Sequence, residues 1–429
     1  MKKKNLFLII ITIAAVVAVL VLALALGAGK SAGSTTQGTT ATTGTMGTTA
    51  TTGTTAAGKE PEVSDDGHKY GDDGLCTDCG VISPEWLDLE FYNGKCKVSA
   101  GKKAEFPKSF KIAYSYYDLP VAYIGDEGFS AGRNKSLKYV EEIELPEGVT
   151  SIGKLAFDGC TALRKLNLPM DVSFMGEGAF QYCESLEEVQ IPEGVKVIRN
   201  CAFRGCTSLK SVKITKNVTA ISAYAFENCK SLEKVEFEAA EDSTDMGFIR
   251  EYAFSGCASL KSMEIPKNLS LSGAGIFMNC TSLKSVTVKS AITFVGEKIF
   301  YGCSSLESVD FEQGTGSIGT SAFEGCEKLE DFSLSDGCTY IGEKAFYGCS
   351  SLNGIFISNR VKTIGADALA ECASLTEIHY GGTVAEWKKV ETNGLKGACT
   401  VYCATGTVNL LDGSISMSPA LLPPSYAGA

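Results

Sequence analysis

Three residues near the front of the chain carry donor atoms suited to a metal ion. They are His68, Cys76 and Cys79, in the run His68-Lys-Tyr-Gly-Asp-Asp-Gly-Leu-Cys76-Thr-Asp-Cys79-Gly80. A Cys-x-x-Cys closed by glycine, with a histidine eight residues ahead, is half of a zinc-knuckle pattern. Structural zinc takes four nitrogen or sulfur ligands in a tetrahedron, and three are evident here. Cys96 is a candidate fourth, although its surroundings read as a hairpin. One structural zinc, a local Cys76–Cys79 disulfide and free thiols all fit these residues. A catalytic redox pair is disfavoured, because no strand–helix–strand context surrounds the motif. No other cofactor is implied.

Ten more cysteines stand at Cys160, Cys183, Cys206, Cys229, Cys257, Cys280, Cys303, Cys326, Cys349 and Cys372. Eight of the nine gaps are 23 residues, and the exception, Cys229 to Cys257, is 28. So strict a period means one structural unit repeated along the chain, a solenoid, in which no unit folds alone. Equivalent side chains of stacked units stand about 4.8 Å apart and point in parallel. A disulfide needs Cβ atoms about 3.5–4.5 Å apart and converging. The ladder therefore reads as buried, unreactive thiols filling a turn.

The elements that position these cysteines follow from the rest of the unit, Ala-Phe-x-x-Cys-x-x-Leu-x-x-Val-x-Ile-Pro-x-x-Val-x-x-Ile-Gly. Phe203, Cys206, Leu209, Val212, Ile214, Val218 and Ile221 give one example. Val-x-Ile has period two and reads as a short strand with two side chains facing inward. Pro146, Pro169, Pro192 and Pro266 close that strand, and the Gly, Asn and Asp that follow mark turns. Parallel strands then stack into one long sheet.

Composition limits the function. The net charge of −11 disfavours nucleic acid and anionic lipid as partners. Only two histidines occur, His68 and His379, which starves most hydrolytic triads and multi-histidine metal sites. No nucleophile–base pair, phosphate loop or carboxylate dyad stands out, so the chain does not read as an enzyme. Met1-Lys-Lys-Lys followed by an apolar run from Leu6 to Leu26 reads as an export signal, either cleaved near Ala28 or retained as a membrane anchor. The Thr-, Gly- and Ala-rich stretch after it has almost nothing to bury and is expected to be a disordered linker.

The Phe-x-x-Cys-x-x-Leu-x-x-Val-x-Ile-Pro unit resembles the BspA-type leucine-rich repeat of bacterial and protozoan surface proteins. Tyr117-Asp-Leu-Pro-Val-Ala-Tyr-Ile-Gly-Asp-Glu-Gly-Phe129 resembles that family's opening segment, and Tyr380-Gly-Gly-Thr-Val-Ala-Glu-Trp387 with Val401-Tyr-Cys403 its closing one. The chain departs from the pattern where Gly132 replaces the first cysteine and Leu369 the last phenylalanine. The resemblance implies a leucine-rich-repeat solenoid with a parallel sheet on one side and turns or short helices on the other. It also implies an exported or surface-attached protein that adheres to a host matrix or cell-surface protein or glycan. The resulting division is 1–29 signal or anchor, 30–60 linker, 61–82 His/Cys module and 83–123 N-terminal cap. Repeats follow over 124–380, then a C-terminal cap over 381–408 and a tail over 409–429.

A ligand would meet the residues that point out from the sheet. Between the inward Val and Ile these run Asn167, Gln190, Lys213, Glu236, Glu264, Thr287, Asp310, Ser333, Phe356 and His379. Lys213 and Glu236 are central polar candidates. Phe356 beside His379 is either a recognition anchor or a pair covered by the closing cap. The insertion after Phe237, with Glu238, Glu241, Asp242 and Asp245, reads as a solvated acidic loop. Two functions remain: a surface protein binding protein or glycan, attached to the membrane through its front segment, or an envelope spacer with no specific ligand.

Overall fold

The computed structural model describes residues 67–102, 105–238, 247–393, 395 and 399–417. The expected signal or anchor, the linker, and Glu241, Asp242 and Asp245 of the insertion lie outside the described residues. No helix among the described residues is long and apolar enough to cross a membrane.

Each unit makes three sides. In one unit, Ser211–Ile214 forms the first strand, with Val212 and Ile214 facing inward and fully buried. A second strand, Ala220–Ile221, follows and buries Ile221. Only one apolar residue faces inward there, so the strand lasts two residues. The third side consists of tight turns carrying Ala225-Phe226 and Cys229, all buried. The second strand is absent from the sequence-based expectation. Where short helices were an option, the units use turns.

Glycine serves two places in many of the units. Before the cysteine the backbone is left-handed, with φ of 74° at Gly205 and 72° at Gly256, and Asn228 fills the same place at 60°. Glycine and asparagine tolerate that region best. After the second strand the units approach closely: a Cβ on Gly342 would lie 2.5 Å from the carbonyl carbon of Gly319, one unit earlier.

Stacking is parallel and in register. Ser211–Ile214 pairs with Glu188–Gln190 on one side and Lys234–Phe237 on the other. The second strands form a ladder of their own, for example Ala220↔Phe248 and Phe248↔Ser270. The register of Ala220 with Phe248 holds across the insertion. Inside, the repeat phenylalanines from Phe129 to Phe346 stack ring on ring, with centroids 5.0–5.9 Å apart. Offset stacking adds to the burial of these rings.

Both ends of the core are closed by antiparallel hairpins. Leu87–Tyr92 pairs with Lys95–Ala100, and the latter runs parallel to Leu119–Ile124 at the start of the second-strand ladder. At the other end Thr400–Cys403 continues the first-strand ladder beside Glu377–Tyr380, then turns back through Gly406–Asn409. A one-turn helix, Val384–Trp387, precedes it, held by a capping box between Thr383 and Glu386.

Candidate binding faces and a candidate metal centre

The front module is a knuckle. Tyr70 bridges Cys76, and Leu75 bridges Ile82, both antiparallel. The Cys76 amide donates to the Val81 carbonyl at 2.8 Å, and the Gly80 amide to the Cys76 carbonyl at 2.9 Å. The left-handed Gly80, at φ 75°, lets the chain turn back just after the second thiol. This geometry brings His68 Nδ1 within 3.4 Å of both Cys76 Sγ and Cys79 Sγ. The three donor atoms all lie within 4.8 Å of one another. A tetrahedral site with Zn–S of about 2.3 Å and Zn–N of about 2.0–2.1 Å has N···S edges of about 3.5–3.6 Å. The triad therefore fits a metal ion. Burial alone would raise the Cys76 thiol, but the amides of Asp78 and Cys79 and the His68 ring outweigh it and bring it down to about 6. Cys79 is raised, by burial and then by the neighbouring Cys76. Both thiols are unbridged.

Cys96 does not join them. It sits fully buried in the N-terminal hairpin, donates toward the Lys97 carbonyl, and burial pushes its thiol up to about 11. The hairpin core, rather than the knuckle, takes this side chain because Cys96 alternates inward with Val98. As a fourth ligand it is corrected.

The cysteine ladder is built into the interior. Each Sγ donates to the carbonyl of the phenylalanine one unit earlier, as in Cys183 to Phe157 at 3.2 Å and Cys303 to Phe277 at 3.0 Å. Burial raises these thiols, Cys280 and Cys372 to about 12. Such thiols are poor nucleophiles and poor ligands.

The first-strand face is charged and largely self-neutralised. Lys213 and Glu236 are exposed and sit side by side in register. Lys213 Nζ lies 2.8 Å from Glu238, while Glu236 pairs with Lys234. Further pairs join Lys210 to Glu187 and Lys261 to Glu233 across neighbouring units.

Phe356 and His379 are in register on adjacent strands, but they are not exposed, retaining 7% and 3% of their accessible surface. His379 stacks on Tyr402 of the closing hairpin at 5.2 Å, and its Nε2 lies 3.0 Å from Glu377 Oε2. Phe356 packs over Gly381, where an added Cβ would stand 3.2 Å from its Cζ. As recognition anchors the two are corrected: the closing segment covers them because it continues the same ladder.

The second-strand face differs in kind. Its outward row holds the half-exposed rings of Phe174 (42%), Phe248 (43%), Phe294 (48%) and Tyr340 (38%). Sequence reasoning missed this row. The signal was the residue just before the inward Met175, Ile249, Val295 and Ile341, which is aromatic in these units and Ser, Thr, Ala or Val in others.

The repeat profile described as BspA type leucine rich repeat region matches the chain in six copies, over residues 122–248, 241–315 and 273–390. Among solved structures, the chain is similar to a leucine-rich cell surface protein from Faecalibacterium prausnitzii. The two are 23% identical, with 73% of this chain and 98% of that one covered and a TM-score of 0.43. A leucine-rich-repeat protein from Bacteroides ovatus is 26% identical, with 72% and 97% covered and a TM-score of 0.43. A leucine-rich-repeat protein from T. pallidum is 21% identical, with 58% and 90% covered and a TM-score of 0.31. No curated protein matches the chain. The overlapping profile matches span more than half of the chain and coincide with the stacked units, and on that ground the chain belongs to the BspA-type leucine-rich-repeat family.

Proposed function

We propose that this protein is displayed outside the cell, held at the membrane by its front segment, and binds a protein or glycan of a host matrix or cell surface through its solenoid. The observation that carries this is the contrast between inward and outward positions of the same strands. Inward positions repeat as Val, Ile, Leu, Phe and Cys, while outward ones change from Gln190 to Lys213 to Glu236 in successive units. A rigid ladder thus carries a non-repeating row of side chains, the arrangement extended binding surfaces use. The test is a binding screen of the purified full chain against matrix proteins and glycans. Saturable binding that substitution of outward residues weakens supports the reading. A folded protein that binds nothing in the screen leaves the envelope spacer in its place.

The finer reading of the His68, Cys76 and Cys79 triad is one structural zinc, with water or a further donor in the fourth position. The knuckle has few apolar residues of its own, so the ion would supply much of its order. About one equivalent of zinc in the reduced protein supports this, and a value well below one sinks it.

A further inference from the structure

We propose that the second-strand face is a binding site for an extended, β-linked, acidic polysaccharide. The inference rests on the reading that the solenoid binds a ligand, and it names both the face and the ligand chemistry.

The row is periodic toward both of its ends. Phe294 pairs in register with Ser317, and Tyr340 with Thr363, in one continuous ladder, so aromatic and hydroxyl rungs alternate. The other end repeats the order: Tyr123 pairs with Ser151 and Ser151 with Phe174. Rungs stand about 4.8 Å apart, so rings recur about every 10 Å in these two stretches. Val197 and Ala220 occupy the rungs between Phe174 and Phe248 and set those rings about 14 Å apart. In an extended β-linked chain every second sugar presents the same face, and a pair of sugars covers about that length. Rings on alternate rungs then meet equivalent C–H faces, with serine or threonine hydroxyls between them to bond the sugar hydroxyls. A protein partner would favour a contiguous apolar patch, and the hydroxyl rungs interrupt one here.

Charge selects an acidic sugar. In a chain of net charge −11, the charged groups seated on this row's rings are cations. The Arg199 guanidinium lies 4.6 Å from the centre of the Phe174 ring, and that of Arg250 lies 5.4 Å from Phe248. Lys95 stands 5.7 Å over Tyr123. Among the described residues neither Arg199 nor Arg250 forms an ion pair, unlike the lysines of the first-strand face. A guanidinium seated over a ring still has N–H groups to offer a carboxylate. The far end of the row carries the opposite charge, since Thr363 donates to Glu391 at 3.3 Å. The acidic sugars therefore belong over the rungs from Tyr123 to Phe248.

The experiment uses the full chain and two soluble probes, a hyaluronan oligosaccharide (β-linked, with a carboxylate on alternate sugars) and a neutral cello-oligosaccharide. Titration calorimetry should show the hyaluronan probe binding more tightly. Phe174→Ala with Phe248→Ala should weaken it at least about tenfold, in the range of aromatic anchors. Arg199→Gln with Arg250→Gln should bring the two probes to similar affinity. Melting curves should stay near the parent's, because the rings are half-exposed. Hyaluronan binding that survives the double phenylalanine variant in folded protein overturns the proposal, as does a folded parent that binds neither probe. If a matrix protein still binds saturably in that case, the general binding role stands and only this site and ligand fall.

Discussion

The Sγ of Cys206 donates a hydrogen bond to the carbonyl oxygen of Phe180, 26 residues earlier, at 3.2 Å. The same carbonyl accepts the amide of Cys183 at 3.2 Å within its own unit. One oxygen thus serves a turn and its neighbour together. This explains why the position is cysteine rather than alanine: a small apolar side chain fills the space, and its S–H joins two units.

Replacing Cys206 by Ala removes a buried sulfur and that link. We predict a loss of about 1–3 kcal/mol, from cavity formation and the missing hydrogen bond. The midpoint of urea unfolding measures it. A change within error would show that the thiol contributes no more than bulk.

Stability should fall at alkaline pH. The ladder thiols keep their protons in the folded protein, with Cys280 and Cys372 held to about 12, whereas an unfolded thiol titrates near 8.5. Above that pH the unfolded chain binds fewer protons than the folded one, so unfolding becomes easier as pH rises. Each thiol contributes up to about 1.4 kcal/mol per pH unit between its unfolded and folded values. Below about pH 8 the effect should vanish. Urea midpoints from pH 7 to 10 would reveal the slope, and Cys280→Ala should reduce it.

Removing one whole unit, Cys280 to Gly302, should leave a folded and shorter protein, because Cys303 then takes the place of Cys280 in the ladder. Removing half a unit should misplace every inward side chain of the adjoining strands. Circular dichroism and melting curves compare the two, and equal folding of both deletions would contradict the solenoid.

Phe356→Ala should cost about 3–5 kcal/mol of stability, as for a core phenylalanine, because the ring is buried over Gly381. Ligand affinity of the protein that remains folded should not change. A stable variant with lost affinity would return Phe356 to the binding surface.

Replacing Cys79 by Ser should abolish zinc retention by the full chain and leave the melting of the repeats unchanged. Metal analysis together with a melting curve separates the two effects. Zinc retained in full by the variant would remove Cys79 from the ligand set.

The 23-residue period and the inward Val, Ile, Leu, Phe and Cys were legible because each repeats in most units and meets its own copy. The second strand was not, since two residues such as Ala220–Ile221 carry no alternation to read. The burial of Phe356 and His379 depends on Gly381 and Tyr402, and no local pattern says that the closing hairpin lands there. The row of Phe174, Phe248, Phe294 and Tyr340 is hidden for the opposite reason. Its aromatic members recur irregularly along the chain and form a series only once the register is known. The triad of His68, Cys76 and Cys79 was visible as spacing, yet its convergence depends on the turn through the left-handed Gly74 that sets Tyr70 against Cys76.

The hydrogen bonds of both ladders run from one unit to the next, along the axis of the stack. Tension applied at the two ends would therefore load a single interface between neighbouring units rather than many in shear. The stack would yield stepwise from an end, each 23-residue unit releasing about 80 Å of chain at about 3.4 Å per residue. Under flow or traction this makes the molecule an extensible shock absorber, whose remaining units hold while the outermost one lengthens.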